Sequence, residues 1–466
     1  MRPREPRHQG ENRIVLHPTH RTPAAKCGLD ARHLHPALAD SAGFTGSACR
    51  RQAIWGAGLI VDSQAVSDSE QVAISSTRLN AGKTVGYGEC ARRGDPPWAY
   101  WNGHLGQRYT LGVEEELMLL EPSDWSLAQS SDVVLAGLSD ELSPHTSPET
   151  HAAVVELATG IHSGVDEAVA DLALLRNRLS RELEAIGLSV AVAGTHPVTV
   201  REETEVSGAV RYRALDDSLR VLARREPTMA LHVHVGVPSP EDAIRVLNGL
   251  RSQIPVLLAL SANSPFWQGR DSGFASARTL IFQAFPRTGP PRHFTGYAEY
   301  VDAVDALIAS GAVPDPSFLW WDVRLQPALG TVEVRVTDAQ SRLQEVAPLV
   351  ALIQSLARLE LEGDHASVVP AVEVLAENRF LASRDGMDAR LIDPAARCLI
   401  PVRETLDSLL AECRPHALGL GCDGALDRVQ QLAAANGADH QRAFVAHNRG
   451  LDELVASLAE CFLAPD

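Results

Sequence analysis

The chain has 466 residues, 45% of them hydrophobic, and a formal net charge of −17. That length holds one large domain or two ordinary ones with ample apolar material for a core. The acidity is uneven, since residues 1–106 hold 13 Lys and Arg against 9 Asp and Glu while the remainder holds 29 against 50, and so acidic a body excludes a surface built for nucleic acid or anionic membrane.

The first hundred residues carry Arg/His/Pro-rich stretches such as Met1-Arg2-Pro3-Arg4-Glu5-Pro6-Arg7-His8 and little sustained periodicity. Residues 1–106 therefore read as a disordered or mis-assigned N-terminal extension. After Met1 the next methionine is Met118, so the translation start is expected at a non-Met codon upstream of Tyr109. The apolar run Ile54 to Val61 is too short to span a bilayer and too far in for a signal peptide. Ala81-Gly82-Lys83-Thr84 imitates the end of a phosphate-binding P-loop, but Thr77 stands at the first glycine position and no strand precedes it. The seven cysteines include no C-x-x-C pair and leave residues 91–397 empty. An odd, unclustered set without an export signal points to reduced thiols and a cytoplasmic location.

Tyr109-Thr110-Leu111-Gly112-Val113-Glu114-Glu115-Glu116-Leu117-Met118-Leu119-Leu120 reads as a strand. Its alternation puts Glu114 and Glu116 on one face and Glu115 on the other. Two like charges on one face of an apolar strand ask for a bound cation, with a solvated acidic edge as the competing reading. Ala153 to Gly160 adds Glu156 inside an apolar run. Val165, Ala168, Val169, Leu172, Leu175, Leu179, Leu183 and Ile186 then form a helical stripe closed by Gly187. A strand over Leu188 to Ala193 follows, ending in Gly194-Thr195-His196-Pro197. Leu231-His232-Val233-His234-Val235-Gly236 sets two histidines on one face. Ser239-Pro240-Glu241 opens a helix, and Gly330 to Asp338 repeats the alternation with Glu333 and Arg335. Ser341 and Gln344 form a capping box before a helix from Val346 to Leu361. From Ile400 the pattern is helical; Gly419 to Gly424 matches a dinucleotide fingerprint only as a string, because Arg414-Pro415-His416 stands where a strand is required. Four apolar strands that all carry metal-compatible or anion-binding groups predict one polar cavity floored by a sheet.

Gly112-Val113-Glu114-Glu115-Glu116, Glu156-Leu157-Ala158-Thr159, Gly194-Thr195-His196-Pro197, His232-Val233-His234-Val235-Gly236, Leu260-Ser261-Ala262-Asn263-Ser264-Pro265, Phe274-Ala275-Ser276-Ala277-Arg278, Ala284-Phe285-Pro286 and Gly330 to Val336 occur in the order and spacing of the type 2 glutamate-cysteine ligases, or carboxylate-amine ligases. The chain resembles that family from about residue 107 to its C-terminus. The resemblance implies an α+β fold related to glutamine synthetase, in which a curved antiparallel sheet of about six strands forms a funnel-shaped active site with helices packed outside. Residues 107–466 would be the catalytic domain.

The chemistry implied joins the side-chain carboxylate of glutamate to a small amine such as cysteine, using ATP and Mg²⁺ through an acyl phosphate. Carried over position by position, Glu114, Glu116, Glu156, His232 and Glu333 resemble metal ligands. His232, His234 and Arg278 fall where the nucleotide binds, and Arg335, with Arg278, resembles the group that grips substrate. Glu115 receives no site role, and its replacement by Gln is expected to change turnover and the Mg²⁺ requirement little. A metal-dependent amidohydrolase and a degenerate glutamate-binding homologue remain as alternatives; the amine acceptor and a homodimeric state stay open. Lys26 and Lys83 are the only lysines. From residue 107 on, every fixed positive charge facing ATP must therefore be arginine, which argues against P-loop and ATP-grasp arrangements.

Overall fold

Alternation of β-branched and aliphatic residues with polar ones dictates strands wherever one sheet face meets helices and the other does not. The computed structural model describes residues 94–103, 107–363, 370–447 and 449–463. Most of the expected extension lies outside the described residues. Seven strands make the main sheet: β1 (Leu111–Leu120), β2 (Thr146–Pro148), β3 (Val154–Ala158), β4 (Ser189–Ala191), β5 (Leu231–Gly236), β6 (Val323–Gln326) and β7 (Thr331–Val334). Their order is β6-β7-β5-β1-β3-β2, with β4 paired to the far end of β1, and every pairing is antiparallel. The last of the expected strands is shorter than its alternation suggests. After Val334 the ladder is interrupted by one extra residue: the Arg335 amide donates to the Asp322 carbonyl at 2.8 Å, and the chain rejoins β5 where the Leu231 amide donates to the Thr337 carbonyl at 3.2 Å and Ala230 bridges Asp338.

Three long helices cover one face: α1 (Val165–Ala185), α2 (Pro240–Ser261) and α3 (Leu343–Glu362). Ser239 Oγ caps α2 by accepting from the Asp242 amide at 3.1 Å, as its sequence implies. For α3 the cap is shifted by one residue: Glu345 accepts from the Arg342 amide at 3.3 Å. Ser341 is unavailable because its hydroxyl is buried and donates to the Val192 carbonyl at 2.8 Å. Leu111, Val113, Leu117 and Leu119 of β1 join Val155, Leu157, Val233, Val235, Val332 and Val334 in the apolar layer under these helices. Residues 97–101 belong to the same packed body, N-terminal to the expected boundary at 107. Trp101 is buried and donates to the Val237 carbonyl at 3.0 Å, and the Tyr297 hydroxyl donates to the Ala99 carbonyl at 2.6 Å.

One charge sits inside the apolar layer. The pleat of β1 turns Glu115 toward α1, where both its side chain and that of Arg176 are 0% exposed. The guanidinium grips the carboxylate through two bonds, Nε to Oε2 at 2.8 Å and Nη2 to Oε1 at 2.6 Å. Its remaining donors reach the carbonyls of Gln340 at 2.9 Å and of Ser341 and Phe462 at 3.4 Å. Among the described residues no helix is long and apolar enough to cross a membrane, and Cys398, Cys413, Cys422 and Cys461 are free thiols.

The pair gives Glu115 a structural role on the side of the strand to which the alternation assigns it, away from the cavity. Removing one partner leaves the other as an uncompensated buried charge, at a cost of about 3–5 kcal/mol. Glu115→Gln is expected to lower the unfolding free energy by that amount without changing divalent-cation affinity in the protein that remains folded. Urea titration followed by circular dichroism measures the first, and calorimetric cation titration the second.

Candidate active site

The uncovered face of the sheet carries the polar side chains in register. Across β1 and β5, Glu114 lies opposite His232 and Gly112 opposite His234. Across β1 and β3, Glu116 lies opposite Glu156, and across β5 and β7, His234 lies opposite Glu333. The outer pairing adds Arg324 opposite Glu333. Period two then places Glu114 with Glu116, His232 with His234, and Glu333 on one side.

His232 is the hub. Its Nδ1 lies 3.5 Å from Glu114, 3.9 Å from Glu156 and 3.9 Å from Glu333, and its Nε2 lies 3.7 Å from Glu116. His234 Nε2 lies 3.4 Å from Glu114 and 3.9 Å from Glu333. These separations are longer than hydrogen bonds, and His232 Nε2 and His234 Nε2 are buried without a hydrogen-bond partner. Two sets of ligand atoms each converge within 4.8 Å, Glu114/His232/Glu333 and Glu116/Glu156/His232. A set dominated by carboxylate oxygen fits a hard dication such as Mg²⁺.

Burial and neighbouring charge sort the acids into two kinds. Glu114 is held well below the usual carboxylate range; burial opposes this, but His234 and His232 outweigh it. Glu333 is also held well below, against burial, by Arg324 and Arg335. Arg324 reaches it through two bonds of 2.9 and 3.1 Å, Gln326 donates at 2.7 Å, and Arg335 Nη1 donates to its Oε1. Glu116 is instead pushed up to about 8 by burial and then by the charge of Glu149. Glu156 rises well above its ordinary value through burial and the charges of Glu114, Glu149 and Glu116. Glu149 is itself raised, first by burial. This half of the site holds more negative charge than its protein neighbours neutralise. His232, pushed down to about 4 by burial and Arg335, stays neutral near pH 7 and keeps a lone pair for a cation.

All the residues expected at the metal site meet here. Arg335 enters the same cluster, with Nη1 on Glu333 and Nε buried without a partner, so that one edge of its guanidinium stays open. Arg278 stands behind it. Its Nη1 and Nη2 donate to the carbonyls of Val336 at 3.2 Å and Arg335 at 3.1 Å, bracing the backbone that presents Arg335, and its charge still reaches Glu116. Two residues escaped the sequence reading. Arg324 was findable, because Asp322-Val323-Arg324-Leu325-Gln326 shows the same alternation as the other strands. Glu149 lies beyond the end of β2 and belongs to no periodic pattern, so nothing local marked it.

The sequence model of glutamate-cysteine ligase family 2 matches residues 110–459, which is three-quarters of the chain. The chain belongs to that family. The ligase is 40% identical over 354 residues to "Putative glutamate--cysteine ligase 2-1" of Rubrobacter xylanophilus, covering 76% of this chain and 94% of that one. Against the Thermobifida fusca protein of the same type it is 35% identical over 366 residues, covering 77% and 92%. Among solved structures, a glutamate-cysteine ligase of Francisella tularensis in complex with AMP aligns at a TM-score of 0.56 and 11% identity over 79% of this chain and 90% of that one. A bifunctional glutathione synthetase of Pasteurella multocida also aligns at 0.56, with 13% identity over 77% of this chain, and the ligase spans only 52% of that longer protein. At such identities the likeness shows the fold: mixed helix and sheet with a largely antiparallel sheet. Family membership makes the chain a carboxylate-amine ligase.

The crowded acids predict a pH signature. Glu116 loses its proton near 4.5 when unfolded but only near 8 when folded, so between these values the folded state binds more protons and stability falls as pH rises. In EDTA, ligase stability is expected to drop by about 1 kcal/mol from pH 7 to 8 through this group. Glu116→Gln should remove that slope, and Mg²⁺ should stabilise the unaltered ligase more at pH 8 than at pH 7. Scanning calorimetry at the two pH values checks both; a slope that survives the substitution would assign it to another group.

Proposed function

We propose that the ligase joins the side-chain carboxylate of glutamate to an amine at the expense of ATP, through an acyl phosphate. The observation that carries this reading is the row of acids and histidines on a single sheet face, with arginine held against one end of it. Mg²⁺ bound by Glu114, Glu116, Glu149, Glu156, His232 and Glu333 would supply the positive charge that a triphosphate requires. A glutamate carboxylate oxygen attacks the γ-phosphorus and ADP departs with the electrons of the broken P–O bond. The amine nitrogen then attacks the acyl carbon, phosphate leaves, and the nitrogen gives up a proton. The protein's part is to hold the two anions together and to remove water from around them.

Arg335 is well suited to the substrate carboxylate. With Nη1 on Glu333, the Nε–Nη2 edge remains for a second, two-bond grip. Arg324 keeps Glu333 ionised and Arg278 keeps the Arg335 backbone in place, so both act on Arg335 from behind. Cysteine is the acceptor that the names of the relatives suggest.

Incubation with glutamate, ATP, Mg²⁺ and a panel of amines is expected to release phosphate, and hydroxylamine should trap the acyl phosphate as a γ-hydroxamate. Cleavage of γ-glutamyl amides without ATP would replace this reading with the amidohydrolase. Arg335→Lys keeps the charge but loses the fork. It should raise the Michaelis constant for glutamate by about tenfold or more, equal to ~1.4 kcal/mol, and leave that for ATP nearly unchanged. Steady-state kinetics with each substrate varied in turn measures the split, and a selective loss of ATP affinity would move Arg335 to the nucleotide.

A further inference from the structure

Arg335 sits in an irregularity of the sheet. Val334 lies opposite Val233, but Asp338 bridges Ala230 and the Leu231 amide donates to the Thr337 carbonyl. Arg335 and Val336 therefore share the place opposite His232, which makes a β-bulge. A bulge bends its strand and re-aims a side chain, and here the Arg335 guanidinium ends 3.5 Å from His232 Nδ1 with Nη1 on Glu333. The ladder bonds lost at the bulge must be replaced. On one side Arg278 does so, by donating to the carbonyls of Arg335 and Val336.

On the other side the bulge rests on Asp322. Its carbonyl accepts the Arg335 amide at 2.8 Å, and its own amide donates to the Gly289 carbonyl at 2.9 Å. Its carboxylate is gripped by Arg379, Nε to Oδ2 at 2.6 Å and Nη2 to Oδ1 at 3.1 Å, in a pair whose side chains are 5% and 4% exposed. Arg379 Nη1 donates further to Gln283 Oε1 at 3.3 Å, and Gln283 closes the short helix Ala277–Phe282 that carries Arg278. One guanidinium thus touches both supports of the bulge. Arg379 is itself held on the helix Val372–Asp385, where the neighbouring Asn378 donates to the Ile392 carbonyl at 3.0 Å and accepts from its amide at 2.6 Å.

A buried ion pair is weak evidence for stability, because well-packed apolar groups of similar volume often serve as well. What a planar two-bond fork adds is direction. Arg335 depends on direction, since its open edge has to meet a planar carboxylate. We propose that Arg379 is a positioning residue, which sets the aim of Arg335 through Asp322 and the bulge. The inference rests on the reading of Arg335 as the group that grips glutamate.

Steady-state kinetics of a double-mutant cycle tests it. Arg379→Lys keeps the charge beside Asp322 and loses the fork, and Asp322→Asn keeps the backbone carbonyl and the side-chain shape. Each is expected to raise the Michaelis constant for glutamate by about fivefold and to leave that for ATP nearly unchanged. In Arg335→Lys/Arg379→Lys the constant for glutamate should exceed that of Arg335→Lys by less than about twofold, because lysine has no fork left to aim. Support of the fold alone would lower the urea midpoint and leave glutamate affinity in the folded protein unaltered. An unchanged glutamate constant in folded Arg379→Lys, or a full multiplication of effects in the double variant, would overturn the positioning role alone. If Arg379→Lys does not fold, Asp322→Asn decides by the same assay; if neither folds, the pair belongs to stability and the inference falls. An unchanged glutamate constant in Arg335→Lys would overturn the reading of Arg335 and this inference with it.

Discussion

Repulsion between carboxylates is the constraint around which this molecule is built. Glu114, Glu115 and Glu116 are consecutive, and no apolar strand tolerates three such charges unless each is answered separately. The pleat divides the problem. Glu115 goes to the helical side and is neutralised by Arg176, while Glu114 and Glu116 face the cavity, where His234 and His232 answer the first and, among the described residues, no arginine bonds the second. Acidity on the open face is therefore the remainder of a charge balance whose buried half is already closed.

The same division runs across the sheet. At the β6–β7 edge, Glu333 is satisfied by Arg324, Gln326 and Arg335, whereas Glu116, Glu149 and Glu156 crowd the β3 side with their acidities depressed first by burial and then by the charge of neighbouring carboxylates. Positive protein charge thus gathers at one end and negative charge at the other. An anion brought in by cations at the acidic end would meet arginine at the opposite end. A planar fork fixed by Glu333 orients a carboxylate in a way that a lysine on a flexible stem would not.

Much of this was legible in the sequence because a strand with one polar face writes its function at period two. Glu114, Glu116, His232, His234, Glu333 and Arg335 announced themselves that way, Glu156 stood out as a single acid in an apolar run, and the structure brings them together. What alternation conveys is the face a residue occupies, and nothing about its partner across the core. Glu115 was correctly turned away from the cavity, yet Arg176, 61 residues later on α1, could not be foreseen as its counter-charge. Glu149 was hidden for the opposite reason, since it lies outside any repeating element and reaches the site only through the turn that follows β2. The Ser341 cap failed because a tertiary hydrogen bond to Val192 outbid the local one.

The wide reach of Arg176 joins distant parts of the sequence. Its guanidinium collects Glu115, Gln340, Ser341 and Phe462, so the strand bearing the acids shares one anchor with the segment that leads into α3 and with residue 462. A substitution that shifts any of these carbonyls takes a partner from the same guanidinium that holds Glu115, and so loosens the strand whose other face carries Glu114 and Glu116.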